Sequence, residues 1–252
     1  MTTISLRDDG TAEAYVGRPQ DAASEHPGVL LYIDAFGLRP QIAGMADRIA
    51  SWGYVVMAPN VFHEFGTAAE TSPSEPLTSP EQRGAFFEGV RPRMESLFSA
   101  ENREHLLAEL ASYVDALHEL SGVSAGPVGV TGYCMGSRLA MLTAGTVGDG
   151  VAAVGGFHGG GLVVDDPLSP HHAVTRAKAE FWFGHADNDG SNTPQNQADL
   201  AAALDEAGLK HGEAVYEGAA HGYTMADTAS YNEAAAERHY RDLQALLDRT
   251  LG

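Results

Sequence analysis

The sequence has one cysteine in 252 residues and no long apolar run. A single cysteine excludes an intramolecular disulfide framework and a zinc site built from several cysteines, and it fits a reducing compartment. No apolar stretch approaches the roughly 18 residues that a membrane-spanning helix needs. Residues 1–10 also lack the basic start and apolar centre of a signal peptide. These absences predict a cytoplasmic protein that does not insert into membranes.

Basic residues are also few: 15 Lys and Arg stand against 34 Asp and Glu, a formal net charge of −19. The resulting negative field opposes binding to phosphate backbones and anionic membranes, so we expect no nucleic-acid partner. An anionic substrate would need a local arginine to overcome this field. The acidity is also compatible with a role in solubility alone.

Strands alternate with helices along the chain. Apolar runs at 28–33 and 151–157 are typical of strands covered on both faces, and the apolar spacing at 40–52 and 102–120 predicts amphipathic helices. This alternation predicts one mostly parallel sheet with helices on both faces.

We expect a single domain covering residues 1–252, with an excursion at about 60–101. Prolines interrupt this segment and its periodicity is weak, so we expect irregular, partly helical structure that forms a pocket wall or lid. A surface insertion without functional consequence is the alternative. A short helix is also expected within 168–178.

The segment 128–136 reads VGVTGYCMG and holds the cysteine, Cys134, between Gly132 and Gly136. A nucleophile on a sharp strand-to-helix turn leaves no room for side chains two residues before and after it, which predicts a nucleophile elbow. The positive end of the following helix favours the thiolate. The alternative, a small buried hydrophobe, does not explain both glycines.

A cysteine nucleophile needs a base and an acid that orients the base, and in this arrangement the acid precedes the histidine in the chain. The predicted strand near 181–183 is followed by a loop with Asp187 and Asp189, of which we favour Asp187 because it is closer to the strand end. His221 follows the last predicted strand. Both loops lie where parallel sheets bind ligands.

The Gly-Tyr-Cys-x-Gly elbow resembles that of the dienelactone hydrolase family of α/β-hydrolases. The resemblance spans nearly the whole chain and also includes segments 34–37, 53–60, 184–187 and 220–223. It implies the α/β-hydrolase fold, with a mostly parallel central sheet of about seven to eight strands and helices on both faces.

The resemblance implies a carboxymethylenebutenolidase-like hydrolase that cleaves a small ester or lactone through a thioester on Cys134, with His221 and Asp187 as base and acid. The backbone N–H groups of Met135 and Ala35 would form the oxyanion hole. No cofactor or metal is implied. Acyl transfer or thioester cleavage at the same site, or a non-hydrolytic ligand-binding or redox-sensing module that uses Cys134, are the alternatives.

The chain departs from the family pattern at two positions that bear on substrate. Asp34 stands where the family commonly has Glu, a residue that contacts the resting nucleophile, and Met225 replaces an arginine that holds the substrate carboxylate. Arginines of the excursion are other possible anchors (Arg83, Arg91, Arg93), although surface positions are the simpler interpretation. The substrate therefore stays open between an anionic lactone and a neutral ester. The candidates for substrate contact are Phe36, Tyr133, His158, Tyr223, Met225 and Arg91.

A second apparent motif is discounted. His158 lies in the run 157–161 (FHGGG), which is similar to the oxyanion segment of lipases. That element precedes the elbow in lipases, whereas this run follows it. We therefore interpret it as a strand end with a flexible turn.

Overall fold

A computed structural model describes residues 1–7, 10–21, 24–167 and 169–252. Its centre is an eight-stranded sheet in the order β1-β2-β4-β3-β5-β6-β7-β8. The first two strands join the sheet antiparallel, and the pairings from β4 to β8 are parallel. The mostly parallel sheet is thus confirmed. The strands are β1 (Thr2–Ser5), β2 (Thr11–Gly17), β3 (Gly28–Tyr32), β4 (Val55–Pro59), β5 (Val128–Tyr133), β6 (Val151–Phe157), β7 (Glu180–Ala186) and β8 (His211–Tyr216).

Helices fill the connections between the parallel strands, because parallel neighbours need a crossover connection. Within the described residues, short 3₁₀ turns extend two of them, α5 and α6. The α-helices are α1 (Pro40–Ala50), α2 (Ala68–Thr71), α3 (Pro80–Leu97), α4 (Arg103–Glu119), α5 (Met135–Val147), α6 (Pro170–Ala173), α7 (Pro194–Glu206) and α8 (Glu233–Leu251).

Two consecutive glycines of β6 show that helices cover both faces of the sheet. A Cβ on Gly155 would lie 2.9 Å from Leu243 of α8, and a Cβ on Gly156 would lie 3.5 Å from the Cβ of Ser137 of α5. Successive residues of a strand point to opposite faces. Helices α8 and α5 therefore pack on opposite sides of the sheet.

The excursion is more regular than its sequence indicates, because it contains the 18-residue helix α3. Ser79 accepts a hydrogen bond from the Gln82 N–H, and the Gln82 side chain accepts one from the Ser79 N–H, which forms a capping box. Of the α3 side chains, Val90 and Leu97 are buried. The apolar periodicity is weak because one narrow stripe faces the core.

Two short segments, one near the start of the chain and one between β6 and β7, remain to be compared with the sequence. Strand β1 lies in residues 1–10, where the sequence indicates no element, and it pairs with β2 as an edge hairpin. The helix expected within 168–178 is present as α6 followed by a 3₁₀ turn at Val174–Arg176, while Leu168 lies outside the described residues. No helix in the described ranges is long and apolar enough to cross a membrane.

Candidate active site

Cys134 lies on a sharp turn between β5 and α5, with φ of 55° and ψ of −118°. A positive φ is uncommon for a residue other than glycine and marks a strained turn. A Cβ on Gly132 would lie 2.1 Å from the carbonyl oxygen of Gly136, and a Cβ on Gly136 would lie 2.6 Å from the carbonyl oxygen of Ile33. The chain therefore has the backbone of an elbow, and both glycines are sterically required.

The carboxylate that orients the histidine is Asp189. The Oδ2 atom of Asp189 lies 2.6 Å from Nδ1 of His221. The preference for Asp187 was wrong on this point, because Asp187 accepts hydrogen bonds from the Gly218 N–H at 2.8 Å and from the Asn188 amide at 3.0 Å. The chain turns at Asn188, whose φ is 53°. This turn brings the second aspartate, rather than the first, to the imidazole.

The environment favours a charged imidazole. Burial lowers the pKa of His221, but the negative sulfur of Cys134 and the hydrogen bond with Asp189 outweigh it and raise that pKa to about 10. Burial raises the pKa of Asp189, but its hydrogen bond and its charge interaction with His221 outweigh burial and lower it. Ser191 donates a hydrogen bond to Asp189 at 2.6 Å. The His221 ring beside Cys134 is thus favoured in its protonated, positively charged form.

A cavity of about 420 Å³ opens onto these groups. Helix α3 contributes Arg83, Phe87 and Met94 to its wall, so the excursion does border the pocket. Among the residues named from the sequence, the cavity is lined by Asp34, Ala35, Phe36, Arg83, Cys134, Met135, His158, Asp189, His221 and Met225.

Three predicted substrate contacts were wrong. Tyr133 and Tyr223 are fully buried beneath the cavity, where their hydroxyls bond to His239 at 3.2 Å and to the Gly184 carbonyl at 3.0 Å. They are sequence neighbours of the site, but their rings point into the core. Arg91 is exposed on α3 and forms an ion pair with Glu88, one turn earlier, at 2.6 Å.

Asp34 is held by an arginine. The guanidinium of Arg39 donates to both oxygens of Asp34, at 2.6 and 3.1 Å, and the Phe36 N–H donates to Oδ1 at 3.1 Å. The shorter side chain at this family position therefore bonds within its own loop and to Arg39, the residue before helix α1.

Two arginines, Arg138 and Arg83, line the cavity. The sequence did not indicate Arg138, and it favoured a surface position for Arg83. Arg138 lies on α5, one turn after Cys134, with its guanidinium 3.6 Å from the ring centre of Phe98. Burial lowers the pKa of Arg138 to about 10, which leaves it charged at neutral pH. Within the described residues, Arg138 and Arg83 form no ion pair with a carboxylate, and the Nε atoms of both lack a hydrogen-bond partner. The i, i+4 spacing from Cys134 was the available signal for Arg138.

His158 is a neutral neighbour of the base. Its ring centre lies 5.3 Å from that of His221, and its Nε2 lies 2.8 Å from the hydroxyl of Thr224. Burial and the charge of His221 hold the pKa of His158 well below its usual range. Within the described ranges, no three His, Cys, Asp or Glu side chains are grouped to hold a metal ion.

Known proteins match this chain over nearly its full length. It is 25% identical to a protein from a Synechocystis species provisionally named a carboxymethylenebutenolidase, over 94% of this chain and 91% of that protein. A Salmonella typhi protein with the same provisional name is 26% identical, over 94% and 82%. The structure of a provisionally named dienelactone hydrolase from Klebsiella pneumoniae superposes with a TM-score of 0.77 at 21% identity, covering 98% of both chains. At that identity, the superposition supports the α/β fold alone.

The family model described as the dienelactone hydrolase family matches residues 12–251. That range includes the elbow, the acid loop and His221. The chain belongs to the dienelactone hydrolase family.

Proposed function

We propose that this chain is a single-domain hydrolase that cleaves a small ester or lactone through a thioester on Cys134, with His221 as base and Asp189 as the orienting acid. One observation carries the proposal: Cys134 sits on a strained elbow and shares one cavity with the hydrogen-bonded His221–Asp189 pair. The provisional names of the relatives point to the same class of reaction.

The first half of the reaction forms the thioester. His221 takes the thiol proton of Cys134, and the sulfur attacks the carbonyl carbon. The oxygen that becomes negative is stabilised by the N–H groups of Ala35 and Met135, which line the cavity. As the tetrahedral intermediate collapses, the bond to the leaving oxygen breaks and His221 donates its proton to that oxygen. The products of this step are an alcohol, or the opened lactone, and a neutral acyl-cysteine.

The second half depends on a change in the basicity of His221. Acylation removes the negative charge of the sulfur, which is one of the causes that raise the pKa of His221. Burial then opposes the charged ring and the pKa falls, so the ring is free to take a proton from water. The hydroxide attacks the thioester carbon, the bond from that carbon to the sulfur breaks, and the acid product leaves. The proton on His221 is then available to the sulfur, which restores the starting state.

The cavity favours a substrate that carries an anionic group. The carboxylates at its wall are already paired, Asp34 with Arg39 and Asp189 with His221, whereas Arg138 and Arg83 are not paired with any described carboxylate. A protein of net charge −19 repels anions over its surface. Arg83 donates to the carbonyl oxygen of His221 at 3.3 Å. Two arginines at one cavity that lack a carboxylate partner among the described residues therefore favour a local anion-binding position. We infer a small carboxylate-bearing ester or lactone.

Replacing Cys134 with Ala tests the nucleophile. We expect the C134A variant to lose about 10⁴-fold or more in kcat on aryl acetates, because the covalent route is closed. Mass spectrometry after mixing with substrate should find a transient acyl adduct on the wild type and none on the variant. The matched control is Thr146→Ala, at the exposed end of the same helix, which should keep full activity. Turnover by C134A within tenfold of wild type would refute the proposal.

A further inference from the structure

A buried arginine joins two loops of the site. Arg39 is 5% exposed and precedes α1. Its guanidinium binds Asp34 at 2.6 and 3.1 Å on one side and Asp227 at 2.6 and 3.1 Å on the other. The planar fork of an arginine suits two such paired contacts, whereas a lysine would present a single point charge. The two carboxylates lie on segments almost two hundred residues apart in the chain.

On the Asp34 side, the arginine fixes the turn that contains Ala35. Asp34 accepts from the N–H of Phe36 at 3.1 Å with its side chain and from the N–H of Gly37 at 3.3 Å with its carbonyl. Arg39 donates to the carbonyl of Gly37 at 3.1 Å as well. Both ends of the loop 34–37 are therefore tied to one guanidinium, and Ala35 lies between them at the cavity wall.

The loop that follows His221 has further anchors. Leu77 donates to the carbonyl of Asp227 at 2.8 Å and accepts from the N–H of Ala229 at 2.9 Å, while Asn232 donates to the carbonyl of Tyr223 at 3.0 Å. His221 itself is held by Asp189. If the contact between Arg39 and Asp227 is lost, these other bonds should keep the imidazole of His221 in place. If the contacts between Arg39 and loop 34–37 are lost, that loop should move.

We propose that Arg39 is a positioning residue for the oxyanion hole: it holds Asp34 in the turn that directs the Ala35 N–H to the reacting carbonyl. The inference rests on the proposed hydrolase function. It assigns Arg39 an effect on the stabilisation of the oxyanion and none on the nucleophilicity of Cys134.

Two reactions of the same sulfur test this assignment. Ester hydrolysis needs the oxyanion hole, whereas alkylation of Cys134 by iodoacetamide develops no oxyanion, and with one cysteine in the chain all alkylation reports on Cys134. In Arg39→Met we expect kcat for an aryl acetate to fall about 100-fold and KM and the alkylation rate to stay within about threefold. The control Arg48→Met removes an arginine of α1 that pairs with Glu237 on the surface, and both rates should be unchanged.

The two rates distinguish a role of Arg39 in the oxyanion hole from a general structural role. Equal losses in hydrolysis and alkylation, or a folded R39M variant with kcat within threefold of wild type, would overturn the assignment. If R39M does not fold, Arg39→Lys decides: about a tenfold loss in kcat with unchanged alkylation supports the proposal, and wild-type kcat overturns it. Failure of the nucleophile assignment would be seen separately, as activity retained by C134A.

Discussion

The elbow at 132–136 and the acid loop at 187–193 contribute to the same site, but their sequences specify structure in different ways. At the elbow, a Cβ on Gly132 or Gly136 would meet backbone oxygens at 2.1 and 2.6 Å, so the pattern of glycines around Cys134 determines the turn. In the acid loop, Asp187 and Asp189 are chemically equivalent and two residues apart. The path of the backbone through Asn188 decides which one meets His221. Local steric constraints can be read from sequence, whereas the partner of a loop residue depends on the neighbouring loop.

The same contrast gives the two aspartates different roles. Asp187 accepts a hydrogen bond from the Gly218 N–H and so connects the acid loop to the loop after β8. This contact stabilises the two loops and does not involve His221. Asp189 faces a histidine whose charge changes during the proposed reaction. Asp187 is closer to the end of β7 than Asp189 is, so closeness to the strand end points to the aspartate that connects the loops and not to the one that contacts His221.

The largest effect is expected from Gly132→Ala. The added Cβ would lie 2.1 Å from the Gly136 oxygen and 2.3 Å from its carbonyl carbon, a clash with backbone that no side-chain movement relieves. We expect a loss of more than about 4 kcal/mol in the free energy of unfolding, or no folded protein. Chemical denaturation measures this. The control is Gly190→Ala in the acid loop, where a Cβ has open space and the loss should stay below about 1 kcal/mol. Similar stabilities of the two variants would contradict the contrast.

The next effect is that of Asp189→Asn on catalysis. An amide cannot stabilise the imidazolium, and it can hold the wrong tautomer of the ring, so we expect kcat to fall by about 10³ to 10⁴. The pKa of His221 should also fall from about 10, because the hydrogen bond and charge of Asp189 are among the causes that raise it. Steady-state kinetics and an NMR titration of the ring measure the two changes.

Asp187→Asn is the matched control for this prediction. Its remaining side-chain oxygen can still accept from the Gly218 N–H, so we expect less than a tenfold change in kcat and about 1 kcal/mol of destabilisation. The reverse order of the two variants would return the acid role to Asp187.

Most of the fold could be predicted from the sequence, because buried parallel strands are nearly continuous apolar runs and most of the connecting helices have clear periodicity. The excursion was expected to be partly helical, but the length of α3 was not predicted, because its buried stripe is narrow and Pro92 lies inside it. Cys134, His221, Phe36, His158 and Met225, each singled out from a motif or a strand end, lie at the cavity, and their roles stay predictions.

The remaining site residues are fixed by long-range contacts or by side-chain direction. Arg39 and Asp227 are 188 positions apart, and no local pattern joins them. Tyr133 and Tyr223 are adjacent to the site in sequence, but they point into the core. The direction of an arginine side chain could not be predicted either. Arg91, a candidate from the sequence, is exposed, whereas Arg138, which was not a candidate, faces the cavity.

The smallest of the expected effects concerns Arg138, the elbow-side residue that the motif did not reveal. Arg138→Met should lower kcat/KM on 4-carboxyphenyl acetate by about 10- to 100-fold, the range expected for one hydrogen-bonded charge. On the neutral 4-carbamoylphenyl acetate the change should stay within about threefold, because the variant keeps the apolar contact with Phe98. The control Arg91→Met removes an exposed arginine and should alter neither rate. Equal losses on both esters would make Arg138 a structural residue and leave the anionic substrate without support. A loss confined to the carboxylate would show that the elbow helix supplies both the nucleophile and, one turn later, the charge that selects the substrate.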